Sequence, residues 1–428
     1  MFVHAGLVLL VMVLAFIVAK WAKVTTELSM AIAALAGALF HTKGIPVRHL
    51  VEGSFNYFDV CLIFITATFF MNILKESGAV TFMVRSIVSR FFKHRYLCLL
   101  LLTIVMLVPG AITGSGAATV FTVGTLVGTV LTCMGVSPNR TAAIIFLCAA
   151  MSAAAPPINL WAMMAAAGSN MPYVGFTAPL LVLSVSGALL SMFILGGRGK
   201  QVDLQSALAQ LPESPDGMNW FKVGFPFLVL FAIVIAGRIW PFTMPIFGLP
   251  LTFVLASIAA LLMSPRRLKV VEIASQTIHS LIPLVGIMIV VGMLIQIMAL
   301  SGARGLISLG VVTLPLTVLF ATLWFILPVS EGLLQYAVAP LLGVPLILLF
   351  NMRGMEPVIA LSAMATIWPL GDCLPPTAVV GRATVMELKF KGSYTKDFLK
   401  TCLVPIALIL LMCTLFLVFS NELAFLVG

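Results

Sequence analysis

The chain has 428 residues, 61% of them hydrophobic and only 9% charged. An ordinary soluble domain carries about 25% charged residues, so the composition excludes a soluble globular protein. The formal net charge of +10 would suggest a nucleic-acid partner in a soluble chain; here it reads as the Lys and Arg excess of cytoplasmic loops, with a lipid bilayer as partner and no nucleic acid.

Crossing a bilayer takes roughly 20 apolar residues. In chain order such runs fall at about 5–20, 25–40, 55–74, 140–175, 177–197, 221–240, 247–263, 280–300, 357–390 and 401–420. Two further stretches, about 97–133 and 311–351, are interrupted near their middles. The runs lack the period-two alternation of barrel strands, so the expected fold class is all-α integral membrane. The first run has no basic residue ahead of it and Lys20 and Lys23 behind it. That is the reverse of a secretory signal, and a retained helix is expected. The segment 79–95 sets Arg85, Arg90, Lys93 and Arg95 among Phe, Val and Ile and reads as an interfacial amphipathic helix. Residues 198–220, rich in Gly, Pro, Asp, Glu and Ser, read as a linker. Threading the spans places nineteen Lys and Arg on one side and five (Lys43, Arg48, Arg238, Arg304 and Arg353) on the other. The first side, carrying 79–95 and the linker, is expected to be cytoplasmic, with both termini outside.

Two halves are related at a fixed offset. Pro109, Pro138, Pro156 and Pro157 match Pro328, Pro357, Pro375 and Pro376, 219 residues on, as Gly124 and Gly135 match Gly343 and Gly354. Lys75-Glu76-Ser77-Gly78-Ala79 resembles Ala299-Leu300-Ser301-Gly302-Ala303 at an offset of 224. Proline fixes backbone breaks, so matched prolines predict matched architecture. The first half, 1–197, is expected to hold a re-entrant hairpin at about 97–133 and a broken helix at about 140–175. The second, 221–428, is expected to hold a hairpin at about 311–351 and a broken helix at about 357–390, with a cytoplasmic linker at 198–220 between them. Each half makes an odd number of net crossings, so the second is expected to be inverted relative to the first.

The chemistry gathers at the interruptions. Pro109 to Gly116 lies mid-membrane, about 18 Å of helix after its start, where irregular backbone is tolerated only if buried in protein or lining a cavity. Ala155-Pro156-Pro157-Ile158-Asn159 supplies unpaired carbonyls and an amide that both donates and accepts. In the second half Pro328-Val329-Ser330-Glu331-Gly332 is the expected hairpin tip and Trp368 to Thr377 the expected break. Glu331 and Asp372 are the two carboxylates placed at membrane depth, where an ionisable residue implies function; the bland alternative is capping of a hairpin end or pairing with Arg382 or Arg353. Arg382 is expected to snorkel toward the cytoplasmic surface. His4, His41, His49, His94 and His279 lack metal-ligand spacing, the seven cysteines read as packed free thiols, and no soluble segment is long enough for an ATPase. No nucleophile sits with a base, and the chain is not expected to be an enzyme.

Gly110-Ala111-Ile112-Thr113-Gly114-Ser115-Gly116-Ala117-Ala118, then Gly135-Val136-Ser137-Pro138, then Ala155-Pro156-Pro157, resemble the large membrane (M) subunit of tripartite ATP-independent periplasmic (TRAP) transporters, DctM-like members of the ion transporter superfamily. The resemblance covers nearly the whole chain. It implies an elevator mechanism in the inner membrane, sodium-coupled symport of a small organic acid such as a C4-dicarboxylate or sugar acid, a small membrane subunit and a periplasmic substrate-binding protein. No cofactor is expected beyond the coupling ion, Na+. Two departures stand out: Leu374-Pro375-Pro376-Thr377-Ala378 replaces the usual Thr-Pro-Pro-Val-Gly, and Ile158-Asn159 follows the first Pro-Pro. They keep open a standalone carboxylate carrier or cation/proton antiporter without a binding protein. The expected substrate site is Gly114, Ser115, Gly116, Pro156, Pro157 and Asn159 on one wall, and Gly332, Pro375, Pro376 and Thr377 on the other. Thr113, Ser115, Ser330, Glu331 and Asp372 are the expected sodium ligands.

Overall fold

The computed structural model describes residues 2–41, 44–199, 204–240, 242–243, 245, 247–313 and 315–427. Lys43 and Lys200 of the charge count, the side chain of Arg238, and linker residues 201–203 lie outside the described residues. Among the described residues the fold is helical without strands, and nine helices are long and apolar enough to cross a membrane. With the shorter apolar helices Thr26–His41, Leu249–Met263, Ala339–Met352 and Pro357–Cys373, they make a multi-pass membrane protein.

The helices pack as two groups. Phe2–Trp21, Thr26–His41, Val47–Ser54 and Phe58–Glu76 associate with Trp220–Ile239, Leu249–Met263 and the 32-residue Val270–Ser301. The second group is built on Pro138–Ala154 and Pro357–Ile367, whose residues are almost all buried. Around them lie the legs of both interrupted segments together with Thr177–Gly196 and Lys400–Val418.

The local structures of the first half recur 219 residues on. The first hairpin descends as Arg95–Thr113 and returns through Gly116–Thr119, a π-helical turn at Val120–Gly124, and Thr125–Cys133. The second returns through a π-helical turn at Ala339–Gly343 and Val344–Met352. Pro138 and Pro357 each open the next helix, and Pro156-Pro157 and Pro375-Pro376 are both cis. At the other offset, Gly78 and Gly302, at φ +81° and +78°, each end a long helix and start a short one.

Two expectations change. The second hairpin does not turn at 328–332: the helix Leu316–Leu334 runs through Pro328 and Gly332, and the turn is Gln335–Ala337. Proline at 328 removes one helical donor but leaves the rest of the ladder intact, as membrane helices allow. Ala79–Phe91 does not lie on lipid alone. Val80, Val84, Ile87 and Val88 are buried in protein, and the Arg85 guanidinium donates to the carbonyls of Leu208, Leu211 and Pro212 in the linker. Arg382 is exposed, and its guanidinium donates to the Pro376 carbonyl, 2.9 Å away, within the second break.

Candidate functional site

The first hairpin turns on Gly114, at φ +67°, a conformation glycine adopts without the Cβ penalty. A Cβ there would also lie 2.7 Å from Leu160 and 3.1 Å from Ile158. Ser115 follows in extended conformation and caps Gly116–Thr119, its hydroxyl accepting from the Ala118 amide. Thr113 donates to the Pro109 carbonyl and accepts from the Ser115 amide, which ties the turn back to its own helix. Gly116 packs against the Ala149 backbone of the first broken helix and against Val380 beyond the second break.

Each break is tied to the hairpin of its own half. The Ile158 amide donates to Ala111 at 3.1 Å. The Thr377 amide and hydroxyl both donate to the Gly332 carbonyl, at 3.2 and 2.8 Å. A tyrosine hydroxyl holds a carbonyl at each break: Tyr173 donates to Pro157 and accepts from the Asn159 amide, while Tyr394 donates to Cys373. Both carbonyls lie at interrupted backbone between helices, and these hydroxyls supply their donors. Asn159 is fully buried and its side chain is consumed locally. It donates to Ala154 and Ala365 and accepts from the Ala162 amide. Pro156 and Pro157 are half-buried, and Pro375 and Pro376 are exposed.

The acids meet where the two halves cross. Glu331 is fully buried in the last turns of Leu316–Leu334, and Asp372, 3% exposed, lies in the 3-10 turn Trp368–Cys373. Gly371 lets these elements touch, since a Cβ there would overlap the Pro328 carbonyl and the Glu331 side chain. Asp372 directly follows Gly371, the residue against which the Glu331 side chain packs. Glu331 Oε2 accepts from the Trp161 indole at 2.8 Å, and Oε1 is buried without a partner. The Trp161 ring lies 4.6 Å from that of Tyr336. The structure thus brings Trp161 of the first half against Glu331 and Tyr336 of the second. Ser330 donates to the Leu327 carbonyl of its own helix. Among the described residues the ion pairs are Arg48–Glu52 and Lys269–Glu272, so neither Arg382 nor Arg353 neutralises these acids. A buried carboxylate needs a counter-charge or a proton.

A cleft of about 280 Å³ opens onto Ser115 from the face carrying Lys75 and Glu76. The sequence reading passed over Trp161 and Tyr336, which resemble ordinary core aromatics, and Thr68, Asn72 and Gln276. Thr68 and Asn72 do carry a signal, polar side chains inside an apolar run. It also placed no acid at Glu27, one of whose oxygens is buried without a partner. His4 and His41, 37 residues apart, share a hydrogen bond of 3.0 Å.

The family model DcuC, C4-dicarboxylate anaerobic carrier, matches residues 41–197. That span holds the first hairpin, the first break and Trp161, and ends short of Glu331 and Asp372. No curated protein matches the chain significantly. Among solved structures it is similar to the YdaH transporter of Alcanivorax borkumensis, with a TM-score of 0.63 and 15% identity over 89% of this chain and 90% of that one. It is also similar to MtrF of Neisseria gonorrhoeae, described with a class of antimetabolite efflux pumps, at TM-score 0.63 and 14% identity over 87% and 83%. The chain is a multi-pass membrane protein with the fold of these transporters.

Proposed function

We propose that this chain is a secondary carrier for four-carbon dicarboxylates that works as a single polypeptide. The observation that carries the reading is the match to the C4-dicarboxylate carrier model across the first hairpin and break. It favours the standalone alternative over the tripartite system that the sequence motifs resemble. The substrate sits between the first hairpin turn at Ser115 and Gly116 and the second break at Thr377. The coupling cation, sodium in this reading, is held at Glu331 and Asp372, where buried carboxylate oxygen is available.

The two halves are inverted copies, and the hairpins and broken helices move as one body against the group built on Val270–Ser301. The recurrence at 219 residues and the hydrogen bonds joining each hairpin to its break support this. The face carrying Lys75 and the linker is cytoplasmic, and a cysteine at Ser206 should resist impermeant reagents in intact cells; labelling there reverses the orientation. The decisive experiment is succinate uptake by the purified protein in liposomes with a sodium gradient and nothing else added. Uptake that begins only when a periplasmic binding protein is supplied would return the chain to the tripartite class.

A further inference from the structure

The cleft that reaches Ser115 contains none of Glu331, Asp372, Trp161 or Tyr336, yet polar side chains, Lys75 and the Glu76 carboxylate among them, line it beside Phe64, Phe121, Ile273 and Leu281. On the helix Phe58–Glu76, Thr68, Asn72 and Lys75 follow one another at i, i+4 and i+7, which puts them on one face. Gln276 and Ser280 of Val270–Ser301 also line it. The Asn72 amide donates to Thr277 at 2.8 Å and pins the two walls together.

Thr68 is the telling residue. Several helical threonines return their hydroxyl to the preceding turn, Thr66 to Leu62, Thr122 to Ala118 and Thr277 to Ile273, whereas the hydroxyls of Thr68 and Thr141 are buried without a partner. Thr68 lines the cleft, and its hydroxyl, on a residue 6% exposed, is buried in the cleft wall without a hydrogen-bond partner. A buried hydroxyl without a partner carries a desolvation cost that a ligand oxygen would remove. Lys75, exposed at the mouth, adds a positive charge about 10 Å along the helix from Thr68. Beyond it a second cleft of about 290 Å³ holds Arg266, Arg267 and Lys269 against Glu76 and Glu272. A mouth with excess positive charge concentrates anions. The volume of about 280 Å³ is at the small end for ligand sites, which fits a short diacid and not a bulky substrate.

We propose that Thr68, Lys75 and Gln276 form a second carboxylate-binding site, a docking station on the cytoplasmic side through which the dicarboxylate passes on its way to or from the central site. The inference rests on the carrier reading above and adds a place where substrate is selected. One carboxylate is held by the Lys75 ammonium and the Gln276 amide. The other end of the molecule reaches the Thr68 hydroxyl, next to Ser115.

The test is succinate exchange in inside-out and right-side-out membrane vesicles, with the cytoplasmic side defined by labelling of a cysteine at Ser206. Thr68→Val and Lys75→Gln should each raise KM on the side of the cleft about tenfold, the scale of one lost charged or buried hydrogen bond. KM from the opposite side should stay within about twofold. Thr68→Ser keeps the hydroxyl and should behave like the unaltered protein. Unaltered vesicles that exchange no succinate overturn the carrier reading, and this site with it. Exchange with an unchanged cleft-side KM in both variants overturns the docking site alone. A rise of the same size from both sides, or in Thr68→Ser, means that the substitutions act through packing, and also overturns it.

Discussion

Trp161 gives Glu331 its hydrogen bond, and both groups are fully buried. Replacing Trp161 by Phe keeps most of the ring contact with Tyr336 but leaves the carboxyl with neither oxygen partnered. The expected loss is about 2 kcal/mol of stability, read as a lower melting temperature in detergent. In a Glu331→Leu background the same change should cost much less. Equal losses in both backgrounds would mean that the indole acts by packing alone. Asp372 tests the coupling ion. Asp372→Asn should weaken the sodium dependence of succinate uptake at least tenfold while leaving protein yield close to normal, and unchanged sodium activation would remove Asp372 from the cation site. Both acids stood out in the sequence because a carboxylate in an apolar run has few bland explanations. Asn159 stood out for the same reason, yet its amide is spent on Ala154, Ala162 and Ala365. A polar residue next to paired prolines has local carbonyls to satisfy, and sequence alone does not separate that duty from substrate binding. Trp161 carried no signal, because its partner lies 170 residues away.

The breaks are held by tyrosines at corresponding ends of the two halves, Tyr173 on Pro157 and Tyr394 on Cys373. Tyr173→Phe removes a donor to one carbonyl and an acceptor for the Asn159 amide. It should cost about 1–2 kcal/mol and lower the transport rate, because the first break would lose the hydroxyl that fixes its carbonyl direction. A variant with unaltered melting temperature and rate would show that water replaces the hydroxyl fully. The breaks themselves were legible: consecutive prolines end a helix whatever surrounds them, and Pro156-Pro157 and Pro375-Pro376 both lie between helices. The π-helical turns at Val120–Gly124 and Ala339–Gly343 were not, since they arise from how the second leg of each hairpin packs and have no residue signature. The second hairpin turn was misplaced for a related reason. Gly332 looked like a turn residue, but it stays helical, and its carbonyl is an acceptor for Thr377.

At the scale of the whole molecule the two ends of Val270–Ser301 differ. Near Ile273 the 280 Å³ cleft separates it from the first hairpin. Near Met298, at the far end of the same 32-residue helix, the gap to Pro340 and Leu341 of the second hairpin shrinks to about 10 Å³. There Arg304, just past the helix end, donates to the Gly168 carbonyl at 2.6 Å. Gly168 ends the helix Leu160–Gly168, where carbonyls lack helical partners and the helix dipole favours a cation. This contact joins the two packed groups on the closed side, with Tyr57 and Val344 filling the space where Gly168 has no side chain. If the protein works by alternating access, Arg304 is a latch that must release before the closed side opens. Arg304→Gln loses the charge and weakens the latch, so it should shift the population toward the state open on that side. A cysteine placed at Leu341, in a background without the native cysteines, reports on the shift. Its labelling by an impermeant thiol reagent should quicken about tenfold in Arg304→Gln, for a latch contributing about 1.4 kcal/mol. Saturating succinate should change that rate if the two states bind substrate differently. An unchanged labelling rate in a folded, transport-competent Arg304→Gln protein would mean that the closed side is held by the packing of Tyr57 and Val344 and not by the guanidinium.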